Sequence, residues 1–293
     1  MSRRKIDIMP GLLIAGCGYL GEAVAELFRA GDWEVEGWTI SRESAQALSK
    51  KLNSAHAVDL SDRDQVCARA EEFDLVLHCA STRGGGAGSY RRVYLNGVRN
   101  LLERFTRAKI LFVSSTSVYA QSNGEWVTEE SVADPSMETG KILREAEEVV
   151  LGKSGIVLRL AGIYGPGRSA LLTKFLSGEA IIDSGNDRFL NAIHRDDAAA
   201  AIKLVAAPSV AAGIYNVVDN EPVLQSECYR WLAAKLNRPI PPIGRSTSSR
   251  KRGATNKRVS NAKLRALGWR PQYATFGQGM AKSVLLGFNL DHA

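Results

Sequence analysis

The residues that could do chemistry begin with Gly16-Cys17-Gly18-Tyr19-Leu20-Gly21, a G-x-G-x-x-G turn. Alone, that pattern is weak. Here the apolar run Leu12-Leu13-Ile14-Ala15 precedes it and an amphipathic stretch, Tyr19 to Ala30, follows. A strand, this turn and a helix make the context that binds a dinucleotide diphosphate. Gly16 allows the tight turn, Gly18 lets the backbone approach the phosphates, and Gly21 lets helix and strand pack closely. The helix start, with Tyr19 and Leu20, offers free N–H groups and a positive dipole to the anion.

A second group follows the next β-rich run. An NAD-specific site places an acid there for the ribose hydroxyls. This chain has Thr39-Ile40-Ser41-Arg42 instead, and Glu34 and Glu36 come too early, inside the strand. Arg42 suits a 2′-phosphate through a charge-assisted contact, with hydroxyls from Thr39 and Ser41 beside it. NADP is therefore the preferred cofactor, and NAD stays the alternative. In Val58-Asp59-Leu60, Asp59 is placed either to accept from the adenine amine or to cap the next helix.

These groups need a scaffold. Strands are expected at Leu12–Ala15, Trp33–Ile40, Ala55–Val58, Phe73–Ala80, Lys109–Ser114 and Gly155–Leu160. Helices are expected at Tyr19–Ala30, Ser41–Leu52, from about Ser61, at Ser89–Arg107 and at Ser136–Gly152. Such alternation implies an α/β fold, a doubly wound parallel sheet of Rossmann type. Residues 1–165 read mainly as the dinucleotide-binding core. Residues 166–293 read mainly as a small C-terminal substrate cap, with segments around 189–220 returning to the core. Asn237–Asn256, rich in Pro, Gly and Ser, reads as a long loop.

Composition narrows the function classes. No apolar run approaches the roughly 20 residues of a membrane helix. No apolar region backs the basic N-terminus, so a cytoplasmic, membrane-free protein is expected. Cys17, Cys67, Cys79 and Cys228 form no Cys-x-x-Cys pair, and the four histidines are scattered, so neither disulfide nor metal is expected. Net charge is +7, with a cluster at Arg245, Arg250, Lys251, Arg252, Lys257 and Arg258. The first reading is a solvated basic loop, the second a site for an anionic substrate. No nucleic-acid partner is expected, because no binding motif or aromatic interleaving accompanies the bases.

Further blocks follow the glycine turn in order. They are His78-Cys79-Ala80-Ser81, Asn96-Gly97, Ser114-Ser115-Thr116-Ser117-Val118-Tyr119, Arg159 to Arg168, Ile193-His194-Arg195-Asp196-Asp197 and Tyr215-Asn216-Val217. With them the chain resembles, over nearly its whole length, an atypical extended short-chain dehydrogenase/reductase of the NAD(P)-dependent epimerase/dehydratase group. The resemblance implies that Cys79, Ala80 and Ser81 border the adenosine ribose and diphosphate. It also implies that Ser114 and Ser115 lie beside the nicotinamide and that Leu160, Ala161 and Gly162 lead a segment along its ring to Tyr164. Arg168 and Arg188 become candidates for substrate anions. His194, Asp196 and Asp197 read as a structural turn before a helix. A homodimer is expected by resemblance alone.

The same resemblance exposes a gap. The family's acid/base pair is a tyrosine with a lysine four residues later, on one helical face. Matching Gly140 and Glu147 to the family pattern puts Thr139 at the tyrosine position and Leu143 at the lysine position. Lys141 is about 200° round the helix from position 139, and Arg144 about 100° from position 143. Ser115 survives as the hydroxyl for the substrate oxygen, and Tyr164 and Tyr119 are alternative acids. Two readings result. One is an NAD(P)-dependent oxidoreductase, epimerase or dehydratase acting on a small polar substrate, a sugar nucleotide or phosphorylated compound among the options. The other is a non-catalytic NADP-binding redox sensor or regulator.

Overall fold

The computed structural model describes residues 9–82, 84–185, 187–245 and 255–287. The central sheet holds β1 (Gly11–Ala15), β2 (Glu34–Thr39), β3 (Ser54–Ala57), β4 (Leu75–His78), β5 (Lys109–Ser115), β6 (Ile156–Leu160) and β7 (Gly213–Val217). All seven run parallel in the order β7-β6-β5-β4-β1-β2-β3. β1 sits in the middle, with Leu12 opposite Val35 on one side and Leu75 on the other. A strand covered on both faces must be apolar throughout, and Leu12, Leu13, Ile14 and Ala15 are all fully buried.

Local chemistry sets the helices. In α1 (Tyr19–Arg29), Leu20, Ala23, Val24 and Phe28 face inward. Ser41 caps α2 (Arg42–Leu48), its side chain accepting from the Ser44 N–H, and Asp62 caps α3 (Arg63–Cys67) in the same way through Gln65. The helix expected over residues 89–107 is α4 (Ala87–Tyr90), a π-helical segment (Arg91–Asn96) and α5 (Gly97–Arg104). Inside the widened segment the Val93 carbonyl is 2.9 Å from the His78 Nε2 of β4. A side chain inserted into the backbone ladder is a recognised cause of such distortion.

The chain divides into two compact units. The first comprises Met1–Val113, Ile142–Val157 and Ile202–Gly213. Its core gathers Leu13, Trp38, Val66, Val76, Leu101 and Phe105. The second comprises Ser114–Lys141, Leu158–Ala201 and Ile214–Ala293. Its core packs Tyr164, Leu172, Phe175, Tyr229, Leu232, Phe276 and Met280.

The remaining helices are α6 (Glu138–Leu151), α7 (Ala170–Leu176), α8 (Arg195–Ala206), α9 (Gln225–Leu236), α10 (Ala262–Ala266) and α11 (Phe276–Gly279). Short parallel pairs join Glu125–Val127 to Lys257–Val259 and Gly162–Tyr164 to Ala192–His194. Within the stretch read as a loop, Ile243–Gly244 pairs with Ile182–Asp183, where the β-branched isoleucines face each other in register. Among the described residues, no helix is long and apolar enough to cross a membrane.

Candidate functional site

The glycine turn belongs to the first unit. Gly16 has φ +95°, and a Cβ there would lie 2.3 Å from both the nitrogen and the Cα of Ala80. Only glycine fits a left-handed turn closed against another strand end. The Gly16 and Cys17 N–H groups donate to the Trp38 carbonyl at 3.0 and 2.8 Å, tying the turn to β2. At Gly21 a Cβ would be 3.0 Å from Ile14 Cγ2 and 3.3 Å from the Gly16 carbonyl, so α1 packs directly on β1. At Gly18 nothing lies within 4 Å of the Cβ position, and no side chain caps α1. The turn thus leaves an open approach to the first N–H groups of α1, the part of the motif that a diphosphate needs.

Around this turn stand the end of β2 and the segments after β3 and β4. Thr39 is half-buried, Ile40 is exposed, and Ser41 spends its hydroxyl on the α2 cap. Arg42 is exposed at the first position of α2 and has no ion-pair partner among the described residues. Asp59 Oδ1 accepts from the Ser61 N–H and hydroxyl at 2.9 and 2.8 Å, so it shapes the turn before α3, while Asp62 supplies the cap. Leu60 is a core residue whose carbonyl accepts from Asn100. Cys79 N–H donates to the Ala15 carbonyl, and Ser81 is exposed. Burial pushes the Cys17 and Cys79 thiols up to about 12, so neither is a ready nucleophile. Burial holds the imidazole of His78 down at about 4, hence neutral.

The remaining candidates belong to the second unit. Ser114 is buried, and Ser115 is half-buried with its Oγ accepting from the Ser117 N–H at 3.2 Å. Thr139 is half-buried near the start of α6, and Leu143, one turn on in that helix and already within the Ile142–Val157 stretch of the first unit, is 3% exposed. Ala161 N–H donates to the Val217 carbonyl and Gly162 N–H to the Asn191 carbonyl; Leu160 is buried. Arg168 is exposed, and Arg188 is half-buried with its N–H on Asp187 Oδ1. Arg250, Lys251 and Arg252 of the basic cluster lie outside the described residues.

The two tyrosines named as alternative acids are packed away. Tyr164 is 4% exposed, between His194 and Phe276, and a Cβ on Gly279 would meet its hydroxyl. Burial pushes its phenol above the ordinary tyrosine range. Tyr119 is fully buried, its hydroxyl donating to Asn216 Oδ1 at 2.9 Å under the Arg159 guanidinium. Each is placed to hold structure rather than to exchange a proton with a substrate. Of the residues read as a turn, His194 Nδ1 accepts from the Asp196 N–H, but Asp197 reaches away to the Gln272 and Tyr273 N–H groups at 2.6 and 3.0 Å.

Lys257 was not visible as a special residue in the sequence, where it sits in a basic run. It is 6% exposed, and its ammonium donates to the Tyr119 carbonyl at 2.9 Å and Thr255 Oγ1 at 3.1 Å. Burial, then Arg188, pushes it down to about 8. Its signal would have been the strand it shares with Val259, which pairs with Glu125–Val127.

The sheet order and the glycine turn define a dinucleotide-fold protein. The family profile for the NAD dependent epimerase/dehydratase family matches residues 12–217, and the chain belongs to that family. Protein YeeZ of Escherichia coli K12 is 27% identical over 254 residues, covering 83% of this chain and 90% of YeeZ. A Methylobacillus flagellatus structure, provisionally described as an NAD-dependent epimerase/dehydratase, is 29% identical. It superposes with a TM-score of 0.77 over 94% of this chain and 97% of its own. Thermus thermophilus UDP-glucose 4-epimerase in complex with NAD is 23% identical, with a TM-score of 0.78 over 97% of this chain and 98% of its own; that likeness concerns the fold.

Proposed function

We propose that the chain binds NADP in preference to NAD and catalyses hydride transfer to or from a carbinol or carbonyl carbon of a small polar substrate. The observation that carries this reading is the glycine turn, closed against Ala80 and open at Gly18. The dinucleotide, when bound, supplies the hydride donor or acceptor. The first N–H groups of α1 hold its diphosphate, and Arg42 pairs with the 2′-phosphate. Ser115 donates its hydroxyl to the substrate oxygen, which places developing negative charge on a fixed donor. Arg168 and Arg188 take an anionic group of the substrate, which favours a phosphorylated compound or sugar nucleotide.

One observation favours a second reading. The lysine position of the acid/base pair is a buried leucine, Leu143, which cannot supply a cation beside a proton donor. A binder that senses the redox state of NADP needs no such pair. Loss of NADPH absorbance with a panel of carbonyl compounds separates the two. Turnover supports the enzyme, whereas tight NADPH binding with no turnover on any compound supports the sensor.

A further inference from the structure

Three side chains of the first unit that the hydride-transfer reading does not use converge on one point. Glu36 of β2, His56 of β3 and Glu71, in the segment before β4, each bring one ligand atom, and these atoms lie within 4.8 Å of one another. The backbone dictates the meeting. β2 and β3 are parallel, with Glu36 opposite Ser54 and Trp38 opposite His56, so alternation puts Glu36 and His56 on one face of the sheet. Arg104 of α5 fixes the third residue: its Nε donates to the Arg69 carbonyl at 2.7 Å and its Nη2 to the Glu71 carbonyl at 2.8 Å.

The set has the chemistry of a cation site. Glu36 is buried, and its carboxylate is braced without being neutralised: Trp38 Nε1 donates to Oε1 and the Ser54 hydroxyl to Oε2, both at 2.6 Å. Each oxygen keeps a second lone pair. Carboxylates that bind metals are oriented by outer hydrogen bonds of this kind. His56 Nε2 stands 3.7 Å from Glu36 Oε2. Two ligand atoms on a tetrahedral ion with bonds of about 2.0–2.1 Å stand roughly 3.4 Å apart. His56 is half-buried and Glu71 exposed, so rotation of Glu71 closes the remaining gap and solvent supplies a fourth ligand. The resident cation, Arg69, fits poorly. Its Nη2 is 3.1 Å from Glu71 Oε1 but 3.8 Å from Glu36 Oε1, and its Nε is buried without a hydrogen-bond partner. A buried donor left unpaired destabilises its position. Exchanging this guanidinium for an ion held by both carboxylates relieves that.

We infer that Glu36, His56 and Glu71 bind a divalent transition-metal ion of the zinc type, which displaces Arg69 and ties β2, β3 and the segment before β4 together. One imidazole with two carboxylates selects such an ion over magnesium or calcium, which take oxygen ligands. The inference does not rest on the dinucleotide site: in a parallel sheet, Glu71 ahead of β4 and the glycine turn after β1 lie at opposite ends.

The test titrates Zn²⁺ into untagged, chelator-treated protein, read by calorimetry and melting temperature. It is repeated with Co²⁺, whose visible absorption reports its ligands. One ion per chain and a raised melting temperature are expected, because the ion binds the folded state. His56→Ala and Glu71→Gln change accessible side chains and should leave the fold intact. Each is expected to weaken Zn²⁺ at least about tenfold, and Arg69→Gln to tighten it. No saturable binding by wild type, affinity unchanged in His56→Ala and Glu71→Gln, or weaker binding in Arg69→Gln overturns the inference.

Discussion

The backbone of Ala80 occupies the space in which a side chain on Gly16 would begin, 2.3 Å from the Cβ position. The turn after β1 and the segment after β4 are thereby interlocked. Gly18, two residues on, is the opposite case: its Cβ position has no neighbour within 4 Å, and its φ is an ordinary −111°. Gly16→Ala should therefore damage the fold, by about 2–4 kcal/mol from backbone strain and overpacking. Gly18→Ala should melt close to wild type yet bind dinucleotide at least tenfold more weakly, because its methyl points into the space reserved for the diphosphate. Thermal melts with a parallel NADPH titration distinguish the pair. Equal melting of the two variants would contradict the geometry.

Arg42 carries the cofactor preference. Its removal should cost NADPH about 1.5 kcal/mol, or tenfold, the lower end for a charge-assisted contact at an exposed site. NADH, with no 2′-phosphate, should be little affected. Fluorescence titration of Arg42→Ala with both coenzymes measures this directly. Equal losses would move the preference elsewhere.

Ser115 is placed to orient a substrate oxygen, and its present hydrogen bond is a local one from Ser117. Ser115→Ala should lower any carbonyl turnover about a hundredfold, as for loss of one donor to a developing oxyanion. The fold should lose only about 1 kcal/mol, the worth of a cap. Turnover and melting temperature measured on one sample check both halves.

Asp219 predicts a pH dependence of stability. Its carboxyl is raised from the unfolded value of about 3.9 to about 8, first by burial. Between those values the folded chain keeps a proton that the unfolded chain releases, so the stabilisation, complete below about pH 4, is lost as pH rises towards 8. Asp219→Asn, which keeps an acceptor for the Glu221 N–H, should flatten that part of the curve. Melting temperatures from pH 5 to 8.5 test it, and parallel slopes for variant and wild type would count against a protonated Asp219.

The parts legible in the sequence are those that local chemistry decides. The strand before Gly16 and the helix after it follow from hydrophobic period. The parts missed depend on distant partners. Val93 looks like any helical residue until His78 of β4 takes its carbonyl. Lys257 looks solvated until pairing with Glu125–Val127 buries it. Tyr164 looks available in its motif, but the bare backbone of Gly279 lets its ring close into the core of the second unit. The replacements at Thr139 and Leu143 were readable only against a family pattern, since nothing in a helical period marks an absent acid or cation.

Calorimetric titration of the purified protein with NADP and NAD tests the dinucleotide site most directly. Saturable one-to-one binding is predicted, tighter for NADP and abolished by a bulky Gly18→Val substitution at the open face of the turn. No heat with either coenzyme, or binding unchanged in Gly18→Val, would contradict a diphosphate held at residues 16–21.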